Sequence, residues 1–177
     1  MTGGPRGPDA GSTLVLGVGN ILWGDDGVGV RLLDGLDGPW ECFDGGVGGL
    51  GLLTVMEGHE RVVILDAIDA GLAPGSVFET DSDRVELHRR LGCHQIDVAD
   101  LLRWVREAGL VCKIHLIGVQ PGRLAPGEGL SPDLASRLDE IRRDVRRRID
   151  AIVERSAARG TGAGARLEID RNKENGS

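Results

Sequence analysis

Short apolar segments alternate with amphipathic helical patterns along this chain, and this alternation constrains the fold more than any other feature. Strands are predicted over Thr13–Val18, Trp40–Phe43, Arg61–Leu65, Ser76–Glu79 and Val111–Val119. A long final helix is predicted by one apolar stripe: Leu134, Leu138, Ile141, Val145, Ile149 and Ile152. The alternation predicts an α/β fold, a single domain with a mostly parallel, twisted sheet of about five strands and helices on both faces.

Three further helices are predicted by shorter stripes: Val28, Leu32 and Leu36; Leu50, Leu53 and Met56; and, over Asp97–Ala108, Val98, Leu101, Leu102 and Val105. Asp25 and Asp26 stand at the start of the first of these helices. Aspartates suit the N-cap position and the positive end of the helix dipole, so both are expected to cap it.

The folded domain is predicted over residues 13–158, with disordered tails over 1–12 and 159–177. The chain has 177 residues, enough for one domain with a sizeable core. The tails are rich in Gly, Arg and Asn and have little apolar surface to bury, which is typical of disorder.

Charge and cysteine usage exclude several classes of protein. The net charge of −7 argues against nucleic-acid binding, and the five arginines between 142 and 148 alternate with acidic residues, as on a solvated helix face. No apolar run is long enough for a membrane span, and the N-terminus has no signal-peptide pattern. The three cysteines, Cys42, Cys93 and Cys112, form neither a disulfide framework nor a zinc motif, so a reducing cytoplasm is expected.

Glycine is the compositional outlier, with 29 residues, and thirteen of them fall between Gly17 and Gly58. Glycines clustered between apolar runs are typical of loops whose backbone takes positive φ angles or approaches a ligand closely. We therefore expect two glycine-rich loops at strand ends, with room for a ligand beside them.

The predicted carboxyl ends of three strands carry polar residues: Gly17–Asn20, Asp44-Gly45-Gly46 and Asp66-Ala67-Ile68. In parallel sheets the functional site lies beyond these ends. A nucleotide site is disfavoured at the first loop, because Asp25 and Asp26 would repel a phosphate at the helix start. Gly17-Val18-Gly19 is also followed by Leu22 where the G-x-G-x-x-G fingerprint requires glycine, and no G-K-[ST] follows.

Carboxylates at strand ends favour a cation instead, and one imidazole would complete a mixed nitrogen and oxygen ligand set. His94 is the best candidate, since His59 and His88 lie in charged sequence expected to be exposed and His115 lies inside a strand. An Asp-Asp pair before a helix is also typical of a simple cap. Composition and spacing thus indicate an α/β domain with a carboxylate–histidine metal site, and no more.

Five motifs in order resemble those of the nickel–iron hydrogenase maturation endopeptidases, and they span about residues 13–155. The sequence GVGNILWGDDGVG, from Gly17 to Gly29, resembles the N-terminal signature of that family. The other four blocks are Asp44-Gly45-Gly46, Leu65–Ile68, His94-Gln95 with Ala99–Leu102, and Gly118–Pro121.

The resemblance implies a peptidase that removes the C-terminal extension of a nickel–iron hydrogenase large subunit after nickel insertion. By position it implies Asp26, Asp66 and His94 as metal ligands and catalytic residues, with Asp25, Asp44, Gly45 and Gly46 in support. Asp25 competes with Asp26 as the ligand. The nickel is expected to come with the substrate, the large-subunit precursor, and nothing in the sequence demands more than a monomer.

Two other interpretations remain at this point. A non-catalytic module that senses metal or chaperones the large subunit would keep the same ligands. A thiol protease built on Cys93 and His94 is disfavoured, because nothing in the sequence orients such a pair. If the glycine-rich ends make room for a peptide, replacing Gly45 or Gly46 with Val should impair cleavage more than folding.

Overall fold

A computed structural model describes residues 12–80 and 98–160. Its strands are β1 (Thr13–Val18), β2 (Glu41–Gly46), β3 (Arg61–Ala67), β4 (Val77–Thr80) and β5 (Lys113–Val119). Its α-helices are α1 (Val28–Leu32), α2 (Leu52–Met56), α3 (Val98–Glu107) and α4 (Pro132–Gly160). Short 3₁₀ helices over Gly24–Gly27 and Gly49–Gly51 precede α1 and α2.

The five strands form one sheet in the order β2-β1-β3-β5-β4. Every pairing is parallel except that of β4, which runs antiparallel to β5 at the sheet edge. From β1 the chain continues to β2 on one side of it and then crosses to β3 on its other side. The connections therefore run in opposite directions on the two sides of the gap between β1 and β3. Such a switch point opens a crevice at the carboxyl ends of the two strands, which is where ligands bind in open α/β sheets.

Helices cover both faces of the sheet, as the alternation in the sequence predicts. On one face Leu14, Leu16 and Val18 of β1 pack against α2 and α3. On the other face Val15 packs with α1 and α4. Burial on both faces explains why the central strands are apolar throughout, and each fully buried Leu, Ile or Val contributes roughly 1.5–3 kcal/mol.

The apolar stripe of the last helix is confirmed, since five of its members are at most 1% exposed: Leu134, Ile141, Val145, Ile149 and Ile152. The arginines opposite the stripe pair with acidic residues of the same helix, as Arg142 does with Asp139 and Arg147 with Asp144. Arg143, Arg146 and Arg147 are thus on a solvated face, while Arg142 and Arg148 are partly buried and also donate to the carbonyl oxygens of Leu32 and Val77. No helix in residues 12–80 and 98–160 is both long and apolar enough to cross a membrane.

Two predicted elements include an apolar residue that is exposed in the structure. Leu50 is 60% exposed, while Leu52 and Met56 face the core, because a 3₁₀ turn precedes α2 and shifts the buried face. Val111 is 95% exposed, because β5 starts two residues later at Lys113. Leu50 lies in the 3₁₀ turn before α2 and Val111 in the segment before β5, so both stand just before the element that their apolar character predicts.

Candidate active site

The carboxyl edge at the switch point carries two of the predicted acidic residues. Gly17 of β1 pairs with Leu65 of β3, and the two strands are parallel. The residues that follow both strands therefore lie at the same edge of the sheet. Asp66 lies there as the next residue of β3 and is half-buried, while Asp26 lies in the 3₁₀ helix after β1 and is 1% exposed. The tertiary structure thus brings Asp26 and Asp66 to one edge.

Glycines let the first helix lie directly on the strand ends. A Cβ on Gly29 of α1 would stand 2.2 Å from the carbonyl oxygen of Leu65 and 2.5 Å from that of Val18. A Cβ on Gly17 would stand 2.6 Å from the carbonyl oxygen of Gly29. Contacts this short exclude any side chain at either position, so backbone packing requires glycine at both. The close packing fixes α1, and with it Asp26, over β1 and β3.

The loop after β1 wraps around the Asp26 side chain. The backbone N–H of Asn20 donates a hydrogen bond to Asp26 Oδ2, and the side chain of Asn20 accepts one from the N–H of Leu22 at 3.0 Å. Gly19 takes a φ of +125°, and a Cβ there would stand 1.9 Å from the Asp26 carbonyl oxygen, so the loop closes on Asp26 only with glycine at this position.

Asp25, by contrast, is completely buried and accepts four hydrogen bonds from a distant part of the chain. The N–H groups of Gly122 and Arg123 donate to Oδ2 at 2.8 and 2.7 Å, and Ser131 donates its N–H to Oδ1 at 2.6 Å and its hydroxyl to Oδ2 at 2.7 Å. Three of these donors share Oδ2 and one reaches Oδ1, so both oxygens of the carboxylate are engaged. Asp25 is therefore a structural acceptor that ties the β1 loop to the loop between β5 and α4.

The expectation that the two aspartates cap the first helix is wrong. The 3₁₀ helix begins at Gly24, its N-cap residue is Trp23, and no side chain makes a capping hydrogen bond. Asp25 and Asp26 are instead inside the turn. With three residues per turn, neighbouring side chains of a 3₁₀ helix point about 120° apart, so the two carboxylates meet different surroundings.

Gln120, which follows β5, holds the loop that leaves β3 after Asp66. Its Oε1 accepts hydrogen bonds from the N–H groups of Ala70 at 2.8 Å and Leu72 at 3.1 Å, and its Nε2 donates to Asp69 Oδ1 at 3.0 Å. The side chain is buried, with 5% exposure. The sequence offers no role for Gln120 beyond its place in the block Gly118–Pro121, because its hydrogen-bond partners lie about fifty residues away.

We expect the pKa of Asp69 to be measurably below its ordinary value of about 3.9. The hydrogen bond from Gln120, followed by that from the N–H of Gly71, lowers it by stabilising the carboxylate. Because the folded-state pKa is the lower one, this stabilisation is present above the unfolded-state pKa and is lost as the pH falls through the folded-state pKa. An NMR titration of the Asp69 carboxyl measures this pKa. Gln120→Met removes one of the two hydrogen bonds, so it should raise the pKa part of the way toward the ordinary value. If the Asp69 pKa is the same in the wild type and in Gln120→Met, the hydrogen bond from Gln120 is not what lowers it.

Asp44, Gly45 and Gly46 belong to the end of β2 and do not follow it, so the predicted strand ended too early. Gly17 pairs with Asp44 but Val18 pairs with Gly46, which makes Gly45 the extra residue of a β-bulge. The side chain of Asp44 accepts the N–H of Gly46 at 2.9 Å. Asp44 is exposed at the same edge as Asp66.

The surroundings of Gly45 argue against the expectation that a valine would spare folding. A Cβ there would stand 2.9 Å from Leu16 Cδ1 and 3.1 Å from the carbonyl oxygen of Gly17. Gly46 has more room, with the nearest atom, Asp44 Oδ1, at 3.7 Å, but its φ of +45° disfavours a β-branched residue. Gly45 therefore serves packing, and only Gly46 faces open space.

His94, Cys93 and His88 lie outside the described residues. Of the other two histidines, His59 is buried at 6% exposure, so the expectation that it is exposed is wrong. It lies before β3, beside Glu41 at 3.5 Å, and so at the end of the sheet away from Asp66. His115 is half-buried within β5, and burial lowers its pKa.

The described residues alone do not complete a metal site. Over 12–80 and 98–160, no group of three or more His, Cys, Asp or Glu is arranged to hold a metal ion. Partial burial of the thiols raises the pKa of Cys42 and Cys112, which is unfavourable for a thiolate nucleophile. Asp26 and Asp66 would thus need a third ligand from elsewhere.

Comparison with known proteins shows similarity to one family. A family model for hydrogenase maturation proteases (HycI) matches residues 33–154. The chain is 35% identical over 136 residues to the hydrogenase 2 maturation protease of Escherichia coli (strain K12), which covers 71% of this chain and 83% of the relative. It is 36% identical over 124 residues to the hydrogenase expression/formation protein HupD of Rhizobium leguminosarum bv. viciae, covering 64% of this chain and 61% of that protein.

The fold is similar to that of the solved hydrogenase maturating endopeptidase HybD from Escherichia coli. The TM-score is 0.64 at 30% identity, over 85% of this chain and 94% of the other. The chain spans less than two thirds of the length of the HupD relatives that it matches. The family model matches from residue 33 onward, beyond Asp25 and Asp26, so the roles of these two rest on their surroundings.

Proposed function

This chain belongs to the hydrogenase maturation protease family, and on that premise we propose that it is an endopeptidase that removes the C-terminal extension of a nickel–iron hydrogenase large subunit. The observation that carries the proposal is the shared position of Asp26 and Asp66 at the carboxyl edge of β1 and β3. An active site at this edge agrees with the general rule for parallel sheets.

The proposed ligands for the substrate's nickel are Asp26, Asp66 and His94. The hydrogen bonds of Asp25 support Asp26 over its neighbour, because four donors from a distant loop already hold the fully buried Asp25 carboxylate. Two carboxylates and one imidazole form a mixed set that suits a divalent transition metal and leaves coordination positions for the substrate's own ligands. Binding a metal that the precursor already carries would make cleavage depend on nickel insertion.

Hydrolysis adds water across one peptide bond of the precursor. The water oxygen joins the carbonyl carbon, the bond to nitrogen breaks, and the protons of water end on the new amine and carboxyl groups. A carboxylate at the site can take the first proton as a general base, and a bound cation can polarise the carbonyl. Holding the metal also positions the peptide bond, which by itself lowers the barrier.

The test of this proposal is incubation with purified precursor, loaded with nickel or free of it. We expect loss of the extension, seen as a shorter large subunit by mass spectrometry, only with the loaded precursor. Unchanged mass in both samples together with stoichiometric binding would favour a non-catalytic sensing or chaperone role. Equal cleavage of both precursors would contradict recognition of nickel.

We propose a reducing cytoplasm as the compartment. Cys42 and Cys112 are free thiols in the described part of the chain, which supports a location where disulfides do not form.

A further inference from the structure

Exposed apolar side chains are concentrated at the edge that carries Asp26 and Asp66. Among the described residues, seven large hydrophobic side chains are exposed, and five of these lie in the loops that follow β1, β2 and β3. We call these five the apolar rim: Ile21, Leu22, Val47, Leu50 and Leu72, which are 45–64% exposed. Single exposed apolar residues are ordinary, but a concentration around a functional edge is characteristic of an interaction surface.

The loops that carry the apolar rim are nearly free of charge. Residues 19–24, 46–51 and 68–75 contain one ionisable side chain, Asp69, in a chain whose residues are 28% charged. Depletion of charged residues is the compositional mark of the centre of a protein–protein interface.

Hydrogen bonds hold the backbone of these loops in place. Gly19 donates its N–H to the carbonyl oxygen of Gly46 at 2.9 Å, which joins the first two loops. The carbonyl oxygen of Leu22 accepts the N–H of Gly127 at 3.0 Å, and the N–H of Leu72 donates to Gln120 at 3.1 Å. The apolar side chains therefore stand on a preorganised backbone, which reduces the entropy lost when a partner covers them.

We propose that the apolar rim is the docking surface for an apolar patch on the folded body of the large-subunit precursor, next to its C-terminal extension. The inference rests on the proposed function and extends it to the partner's surface. A protein that delivers a peptide bond to Asp26 and Asp66 must cover the loops that follow β1 and β3, and the nearly uncharged loops match an apolar partner. Docking sets affinity, while the carboxylates act on the bond.

The experiment compares Leu22→Ser, Leu50→Ser, Leu72→Ser and the triple variant with Val111→Ser as the matched control. Val111 is 95% exposed but stands before β5, at the opposite end of the sheet. We expect each single change to raise the KM for nickel-loaded precursor by roughly 3- to 10-fold, with a smaller change in kcat, and the control to behave as wild type. Calorimetric titration with the same precursor should show a parallel rise in Kd, and thermal melts check that the variants are folded.

Folded rim variants with the KM and Kd of the wild type would overturn the proposal, as would an equal loss in Val111→Ser. A wild-type dimer that the triple variant converts to monomer in sedimentation velocity would also overturn it, because the rim would then be an interface between copies of this chain. If the wild type binds precursor without cleaving it and the triple variant does not bind, the docking surface stands and the proposed peptidase function fails.

Discussion

Replacing Asp25 with alanine is expected to lower the free energy of unfolding by about 3 kcal/mol or more, and the melting temperature by roughly 10 °C. The side chain is completely buried and accepts hydrogen bonds from Gly122, Arg123 and Ser131. Alanine would leave three backbone N–H groups and one hydroxyl without their acceptor. Each buried donor left unpaired costs about 1–3 kcal/mol, partly offset where water reaches the loop.

Urea denaturation of Asp25→Ala, Asp25→Asn and Asp26→Asn measures this effect. Asp25→Asn keeps the shape but replaces one oxygen with an NH₂ group that faces N–H donors, so it should lose a large part of the stability as well. Asp26→Asn is the neighbouring control and should unfold within about 1 kcal/mol of the wild type, because it retains an oxygen for the N–H of Asn20. Equal stability of Asp25→Ala and wild type would contradict a structural role for Asp25.

Replacing Asp26, Asp66 or His94 with alanine is expected to lower kcat/KM for nickel-loaded precursor by at least about 100-fold. Removing a positioned acid–base group typically costs 10²–10⁴-fold, and loss of a metal ligand would also misplace the peptide bond. The measurement is the appearance of the shortened large subunit by mass spectrometry over time, at precursor concentrations below the KM. Circular dichroism should show that each variant is folded.

The two adjacent aspartates provide the control for this second prediction. Asp26→Asn should lose cleavage and keep its stability. Asp25→Asn should lose stability, while the fraction that remains folded still carries the Asp26 carboxylate. Full cleavage by the alanine variants of Asp26, Asp66 and His94 would contradict the assignment of all three. The role of His94 stays a prediction from the sequence resemblance, since this residue lies outside the described residues.

The sheet and its helices follow closely from sequence patterns. The stripe from Leu134 to Ile152 predicts the face of α4 that is buried, and the apolar runs predict β1 and β3 to within a few residues. These predictions succeed because burial is recorded in neighbouring residues: as a stripe at helical spacing in α4, and as an uninterrupted apolar run in strands buried on both faces. Leu50 and Val111 are misassigned for the same reason, since an exposed apolar side chain beside a strand or helix gives the same local pattern.

The glycine excess shows that a local sequence pattern can indicate where small residues are needed without showing why. The sequence indicates that the loops after β1 and β2 need small residues, and it associates that need with a ligand. The structure shows that Gly17, Gly29 and Gly45 are small because protein atoms stand within 3 Å of where their Cβ would be. Only the packing of α1 and α2 on the strand ends separates these two explanations.

By itself, the sequence determined the α/β class, the order of the strands and helices along the chain and the presence of acidic residues at strand ends, because these depend on periodicity and on neighbours in the chain. Only the tertiary structure decided which of two identical adjacent aspartates is structural. The partners of Asp25 lie about a hundred residues away, and a 3₁₀ turn points its side chain toward them and that of Asp26 toward Asn20. Local pattern cannot contain that distinction, since it arises from contacts between segments that meet only in the folded chain.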